Sequence, residues 1–197
     1  MTIKKIALLL ILAFVGMMPA VWGQQVTVKT NVVYGAYTYT PNLGLEFGLG
    51  HKSTFDLGAG YNFWKKDGTA DNNKKLVHWL AQAEYRYWTC QKFNGHFFGI
   101  HALGIQYNIS QHDLPLLFWK GSKNYRFQGW GAGGGISYGY QWILGKRWNL
   151  EANIGVGYVR LHYDKYDCVK CGEKVGTESR NYFGPTKAGI SLIYIIK

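Results

Sequence analysis

The chain has 197 residues, a formal net charge of +11 and an aromatic content of 17%. After residue 23 no apolar run approaches the length of about 18 residues that a membrane-spanning helix needs, so helical spans are excluded there. The basic charge would suit a nucleic-acid binder, but the N-terminal segment indicates export. For an exported chain we expect lipid phosphates, and no nucleic acid, as the anionic partners.

The first 23 residues have the order of a secretory signal peptide. Lys4 and Lys5 precede the apolar run IALLLILAFVGMM, and a stretch with small residues at the cleavage positions follows. A membrane-anchor helix is the alternative, but the apolar run is short for a bilayer span of about 20 residues. The sequence therefore predicts a signal peptide over residues 1–23 and a single exported domain over residues 24–197.

The rest of the chain contains eight stretches in which apolar and polar residues alternate, the period typical of β-strands. They cover residues 26–36, 42–49, 54–64, 77–89, 95–109, 125–144, 148–163 and 182–196. The connections alternate between short turns, such as LGHKS and LGKRW, and longer polar loops. Short turns at one end and long loops at the other are typical of outer-membrane barrels, whose turns are periplasmic and whose loops face the exterior.

The alternation divides the residues between two faces. One is apolar and carries aromatic residues near the strand ends, including Trp79, Tyr87 and Trp142, as in the aromatic girdle of a membrane barrel. The other carries charges and glycines. In a narrow barrel interior, glycines make room for the charged side chains. On a face exposed to water they would bring no such benefit, because each glycine weakens its strand. We therefore predict an all-β, eight-stranded antiparallel up-and-down transmembrane β-barrel with the charged face inward. A soluble lipocalin-like ligand-binding barrel, with its apolar face inside, is an alternative.

Seven charged residues are predicted to pair inside this barrel as a structural network, because buried charges must be paired to be tolerated. They are Lys29, Glu46, Asp56, Glu84, Arg86, Glu151 and Lys187. We expect a polar, filled lumen that does not conduct ions. In the fifth strand His101 is expected to face inward, but Leu103 and Ile105 break the pattern, which indicates a β-bulge near Gly104.

The stretch GWGAGGGISYGYQW (residues 129–142) contains the spacing G-x-G-x-x-G of a phosphate-binding loop. Such a loop must leave a strand and begin a helix, whereas this stretch continues in strand period to the next turn. We interpret it as the sixth strand, with its glycines inward to make room for charged side chains.

Cys168 and Cys171 lie in the last long loop and are predicted to form a local disulfide, because the exterior is oxidising. A free or metal-binding pair and a redox pair stay open as alternatives. Cys90 is predicted to be unpaired near a periplasmic turn. We predict no metal site and no cofactor.

Two loop features have no single interpretation. The apolar segment LPLLFW (residues 114–119) would pack over the barrel mouth, enter the outer leaflet or bind a partner protein. Several basic loop residues would contact lipopolysaccharide phosphates or remain solvated: Lys65, Lys66, Lys74, Lys75, Lys120, Lys123 and Arg126.

An outer-membrane enzyme that modifies lipid A is a second alternative. His162 with Asp164, or His112 with Asp113, would then act at the exterior rim. A histidine within hydrogen-bond reach of a serine or aspartate at the lipid rim would favour this reading. A site must be argued from geometry, and neither pair has a nearby serine whose geometry the sequence defines, so we predict a protein that is not an enzyme.

The segments KTNVVYGA, PNLGLEFGLG, HWLAQAEYRYW, NLEANIGVGYVR and NYFGPTKAGISLIY resemble an uncharacterised family of small Bacteroidota proteins with a domain of unknown function. The resemblance implies an outer-membrane barrel and a surface or fimbrial-assembly partner, and it carries no established activity or binding residues. The chain ends on Lys197, which departs from the usual aromatic assembly signal. We expect a monomer with a structural or surface-interaction role, in which the long loops contact the partner.

Overall fold

The computed structural model describes residues 25–63, 74–110, 125–167 and 172–196, so the predicted signal peptide lies outside the described residues. In these ranges the chain forms eight strands and one short helix. They are β1 (Val26–Asn31), α1 (Val32–Thr38), β2 (Asn42–Gly48), β3 (Ser53–Asn62), β4 (Lys75–Trp88), β5 (Gly95–Ser110), β6 (Tyr125–Ile143), β7 (Trp148–Asp167) and β8 (Lys174–Ile195).

Each strand pairs antiparallel with the next one along the chain, and β8 pairs back with β1 through Thr27↔Ile195 to Asn31↔Ser191. The sheet therefore closes into a ring, and the predicted all-β, up-and-down order of eight strands is confirmed. The short turns 49–52, 89–94 and 144–147 lie at one end of the ring. We call the half of the interior beside these turns the lower half and the half beside the longer connections the upper half.

The prediction of a strand up to residue 36 is wrong, because β1 ends at Asn31 and a helix follows. The Asn31 side chain accepts a hydrogen bond from the Tyr34 backbone N–H at 3.0 Å. Asparagine is a preferred N-cap residue, and this local bond competes with strand pairing. Helix α1 is only seven residues long, and within the described part of the chain no helix is long and apolar enough to cross a membrane.

The height of the wall differs around the ring. β1 has 6 residues and β8 has 22, and β8 begins at Lys174 rather than at the predicted residue 182. The β7–β8 ladder extends from Trp148↔Tyr194 to Tyr166↔Lys174, whereas the β1–β8 ladder covers only residues 191–195 of β8. The wall is therefore low at β1 and β2 and high at β7 and β8.

The predicted bulge near Gly104 is wrong. β5 pairs with β4 and β6 in unbroken register, and Leu103 and Ile105 lie inside the ring against buried apolar residues. The register shifts occur instead in the β7–β8 ladder, one of them opposite Pro185. Proline has no N–H to donate to a ladder, which is a physical reason for an irregularity there.

Candidate functional site in the interior of the ring

All seven charged residues of the predicted network meet in the lower half of the ring, around Arg86. The Arg86 Nε atom lies 2.6 Å from Glu84 Oε2, and Nη1 lies 2.7 Å from Glu151 Oε2 and 3.0 Å from Glu46 Oε2. Nη2 lies 3.1 Å from Asp56 Oδ2. Arg86 is fully buried, so one guanidinium joins carboxylates from four strands.

The two lysines complete this layer. Lys29 Nζ lies 2.7 Å from Asp56 Oδ2 and 3.3 Å from Glu46 Oε2, and Lys187 Nζ lies 2.6 Å from Glu84 Oε2. Three cations and four carboxylates leave a formal charge of −1 in the layer. Each buried charge has an opposite partner, which is the condition under which such a cluster is tolerated.

Neutral side chains that the sequence analysis missed hold the carboxylates in place. The Thr54 hydroxyl donates to Glu46 Oε1 at 2.5 Å, and the Trp88 indole N–H donates to Thr54 Oγ1 at 2.9 Å. The Ser137 hydroxyl donates to Glu84 Oε1. On their strands, these three residues alternate in step with the inward-facing positions. This alternation is the sequence signal that could have identified them.

An aromatic floor closes the lower end. Trp88 and Phe97 are fully buried with ring centroids 4.8 Å apart, and Phe93 from the turn lies 6.1 Å from Trp88. The Arg86 guanidinium lies 4.4 Å above the Phe97 ring, a cation–π contact. The lower half is therefore filled by a charged layer on an aromatic floor.

The glycines serve two purposes, only one of which the sequence analysis predicted. A Cβ at Gly99 would lie 2.5 Å from Ser137 Oγ and 2.6 Å from Glu84 Oε1, so this glycine does make room for a carboxylate. In the glycine run of β6, a Cβ at Gly135 would meet the Val156 carbonyl oxygen and lie 2.7 Å from Gly157 Cα. This part of the run allows two backbones to approach closely, so the interpretation that it makes room for charges is wrong.

The upper half of the interior has an apolar wall, so the expectation of a polar, filled lumen is wrong for that side. Leu103 and Ile105 pack against a cluster of buried apolar residues. The cluster consists of Leu76, Tyr107, Ile109, Phe127, Val159, Leu161 and Tyr182.

A cavity of about 470 Å³ lies beside this apolar wall. Its opposite side carries polar residues, including Asn31, Asn42 and Thr186, and the charged layer borders it through Asp56 and Lys187. We call this cavity the chamber. It has an apolar wall, a polar wall and a charged floor.

Helix α1 borders the chamber at the low side of the ring. Tyr34 places its hydroxyl 2.7 Å from His78 Nε2 on β4, and burial raises the pKa of Tyr34 to about 12. Asn62 Nδ2 donates to the Thr38 carbonyl at 2.7 Å. The helix is therefore held to β3 and β4 through polar contacts.

The histidine discussed for a lipid-modifying site lies outside the ring. His162 Nδ1 is 2.9 Å from Ser179 Oγ, and both residues are exposed. Asp164 instead contacts Lys174 Nζ at 2.8 Å and the Thr177 hydroxyl at 2.6 Å. The structure thus brings a serine, which the sequence did not reveal, to this histidine across the β7–β8 ladder.

The other predicted sites are mostly outside the described residues. Cys168, Cys171, His112 and Asp113 are not covered, and the disulfide stays a prediction. Cys90 is a free, exposed cysteine at the short-turn end. Within the described ranges, no group of three or more His, Cys, Asp or Glu residues is placed to hold a metal ion.

A comparison with protein families identifies the family of the chain. The family model described as "Protein of unknown function (DUF3575)" matches residues 7–196. No curated protein and no solved structure matches the chain. Because the model spans nearly all of its length, the chain belongs to the DUF3575 family of proteins of unknown function.

Proposed function

We propose that this chain is an integral outer-membrane β-barrel protein that does not form a pore and has a structural or surface-interaction role. One observation carries the proposal, namely that the polarity of the ring is inverted relative to a soluble protein. Arg86 is fully buried inside, whereas Ile100, Ile136 and Ile154 are 68%, 64% and 56% exposed on the outer face. A contiguous exposed apolar surface of this kind requires a lipid or protein neighbour.

The aromatic residues of the outer face support a membrane location. Tyr61 pairs with Trp79 in the upper part of the wall, and Tyr87 pairs with Phe98 in the lower part. Trp79 and Tyr87 are eight positions apart on β4, or about 27 Å along the strand before its tilt is considered. Barrel strands tilt by about 35–45°, so this length projects to about 19–22 Å along the barrel axis, which is comparable with an apolar band of about 25 Å between two aromatic girdles.

The interior supports a barrel without a pore. The Arg86 layer crosses the ring, and the floor of Trp88, Phe93 and Phe97 lies beneath it. An ion would have to displace paired charges and then pass packed rings. We therefore expect no conductance in planar bilayers.

The proposed setting follows from this architecture. Residues 1–23 direct export, and the chain inserts as a monomer with its short turns in the periplasm. The lipids of the outer membrane are its immediate neighbours, and lipopolysaccharide phosphates contact the basic loops. The long exterior loops contact a surface or assembly protein.

Membrane fractionation tests the proposal directly. We expect the protein in the outer-membrane pellet after a carbonate wash, and faster migration of the unheated sample on a denaturing gel. Recovery in the soluble periplasm without detergent would overturn the proposal and favour the lipocalin-like alternative.

Cys90 reports the orientation, in a variant in which Cys168 and Cys171 are replaced by serine. A membrane-impermeant maleimide should label Cys90 only after the outer membrane is permeabilised, because Cys90 lies at the short-turn end. Labelling in intact cells would contradict a periplasmic position of the short turns.

A second candidate function is hydrolysis or modification of a membrane lipid, and the His162–Ser179 contact of 2.9 Å favours it. A serine beside a histidine is the core of many acyl-transfer sites. Against it, Ser179 lies within a paired strand, where backbone N–H groups are engaged in the ladder rather than in an oxyanion hole.

Lipid profiles separate the two candidates. A hydrolase should produce new lipid species in cells that express the wild-type chain and the Thr177→Ala control, but not in cells that express Ser179→Ala. Identical lipid profiles in all three strains would exclude this second function.

A further inference from the structure

The chamber has the dimensions and surface of a small-molecule site. Its volume of about 470 Å³ lies within the range of about 300–1,000 Å³ that is usual for such sites. Leu80, Leu103 and Val159 contribute to its apolar wall. Ligand sites are typically apolar with a few polar groups that fix orientation, and the chamber has this composition.

Two buried oxygen atoms at its polar side have no hydrogen-bond partner among the described residues. They are Asp56 Oδ1 and Asn153 Oδ1, and both residues border the chamber. Asp56 uses its other oxygen for Lys29 and Arg86. Buried acceptors are nearly always paired in folded proteins, so these two indicate a donor that the described residues do not supply.

The charge of the layer beneath the chamber limits the charge that this donor can carry. The four carboxylates outnumber the three cations of the layer, and both lysine ammonium groups are already paired, Lys29 with Asp56 and Lys187 with Glu84. An anionic head group would add a further negative charge to a buried layer in which carboxylates already outnumber cations, and an uncompensated buried charge is costly. A cationic donor would instead offset the formal charge of −1 and form a charge-assisted hydrogen bond with Asp56.

The geometry points to the chamber as a binding site for a small amphipathic amine, with its apolar body against the Leu103 and Val159 wall and its ammonium group on Asp56 and Asn153. The polarity of the two walls orients the ligand, because the hydrocarbon part of the amine packs against the apolar side formed by β4, β5 and β7. This site is independent of the lipid-facing surface on which the proposed function depends.

Methyl NMR of the amphipol-held full chain tests the proposal, because an amphipol avoids competition from detergent monomers. We expect octylamine to shift the Leu103, Val159 and Leu161 methyl signals saturably, and octanoate and octanol to bind at least tenfold more weakly. Equal binding of the three molecules, or no saturable shift with octylamine, would overturn the proposed head-group chemistry.

Space-filling variants locate the site. In Leu103→Trp the larger side chain should occupy the chamber and weaken octylamine binding at least tenfold. If this variant does not fold, Leu80→Trp serves the same purpose and should have the same effect. The matched control is Ile136→Trp, on the outer face of the ring, which should bind as the wild type does. Undiminished binding to a folded chamber variant would show that the amine binds elsewhere and would overturn the site.

Asn153→Leu tests the polar end. It removes one of the two acceptors and also the 2.7 Å hydrogen bond that Asn153 Nδ2 donates to Glu151 Oε1, while the ion pairs of Asp56 are kept. We expect octylamine binding to weaken about tenfold, or about 1.4 kcal/mol. Wild-type affinity in this variant would contradict the assigned position of the ammonium group.

Discussion

The two halves of the interior are built by the same faces of the same strands, yet they differ in chemistry. On β4, Glu84 and Arg86 enter the lower half, whereas Leu76 and Leu80 enter the upper half. The lower half is packed and charged, with Arg86 fully buried. The upper half has an apolar wall and a polar wall, and between them lies a cavity of about 470 Å³.

This difference separates two tasks of one interior. The lower half stabilises the ring, because its ion pairs connect β1, β2, β3, β4, β7 and β8. The upper half contributes an apolar wall and leaves space. Substitutions in the lower half should therefore change stability, whereas comparable substitutions beside the chamber should change stability little.

The largest effect is expected from Arg86→Ala. Removing the guanidinium leaves Glu46, Glu84 and Glu151 without their shared partner, and breaking a buried ion pair costs about 3–5 kcal/mol. Urea unfolding in micelles, followed by tryptophan fluorescence, measures this loss in the free energy of unfolding. Lys174→Ala, which breaks an exposed ion pair, is the control and should match the wild type; an Arg86→Ala protein of wild-type stability would refute the role of the charged layer.

A pair of glycine substitutions compares the halves directly. Gly99→Ala would place a Cβ 2.5 Å from Ser137 Oγ, and overpacking of this kind costs about 1–3 kcal/mol. Gly58 borders the chamber, and a Cβ added there would have no heavy atom within 4 Å. The free energy of unfolding of the Gly58→Ala protein should therefore not fall. The same urea assay measures both, and equal losses would mean that the two halves are packed alike.

A smaller effect is expected at the aromatic floor of the lower half. Trp88→Phe keeps an aromatic ring but removes the indole N–H that donates to Thr54 Oγ1 at 2.9 Å. The loss of one buried hydrogen bond, together with the space left by the smaller ring, should lower the free energy of unfolding by about 1–2 kcal/mol. Trp148→Phe, at an exposed position, should be neutral, and equal effects of the two variants would contradict the role of this bond.

The last effect is confined to alkaline pH and concerns Tyr34 at the edge of the chamber. Burial raises the pKa of Tyr34 from 10.0 to about 12, so the folded protein retains a proton that the unfolded chain releases. The stability contributed by Tyr34 is present below pH 10 and is lost as the pH rises through about 12. In Tyr34→Phe, the decline in unfolding free energy across this window should be shallower.

The control for this pH experiment is Tyr37→Phe on the same helix, since Tyr37 is exposed. It should keep the wild-type decline. A Tyr34→Phe protein with the wild-type alkaline slope would contradict the buried position of the phenol.

Much of the fold was predictable from local pattern alone. The period of two identified the eight strands and assigned Glu84, Arg86 and Glu151 to one face, because successive side chains of a strand point to opposite sides. It failed at residues 32–38, where the N-cap of Asn31 favours a helix. It also failed near Gly104, where a bulge is predicted only if the whole inner face is polar, whereas Leu103 and Ile105 face an apolar part of the interior.

The amino-acid sequence by itself determined the strand order and which side chains share a face, since both depend on spacing along the chain. Only the tertiary structure decided that Arg86 meets carboxylates from four strands, that Ser179 meets His162, and that a chamber remains above the charged layer. These distances depend on the registers at which the strands pair, including β7 with β8 and β8 with β1, and on the approach of opposite walls. A local period of two carries no information about either.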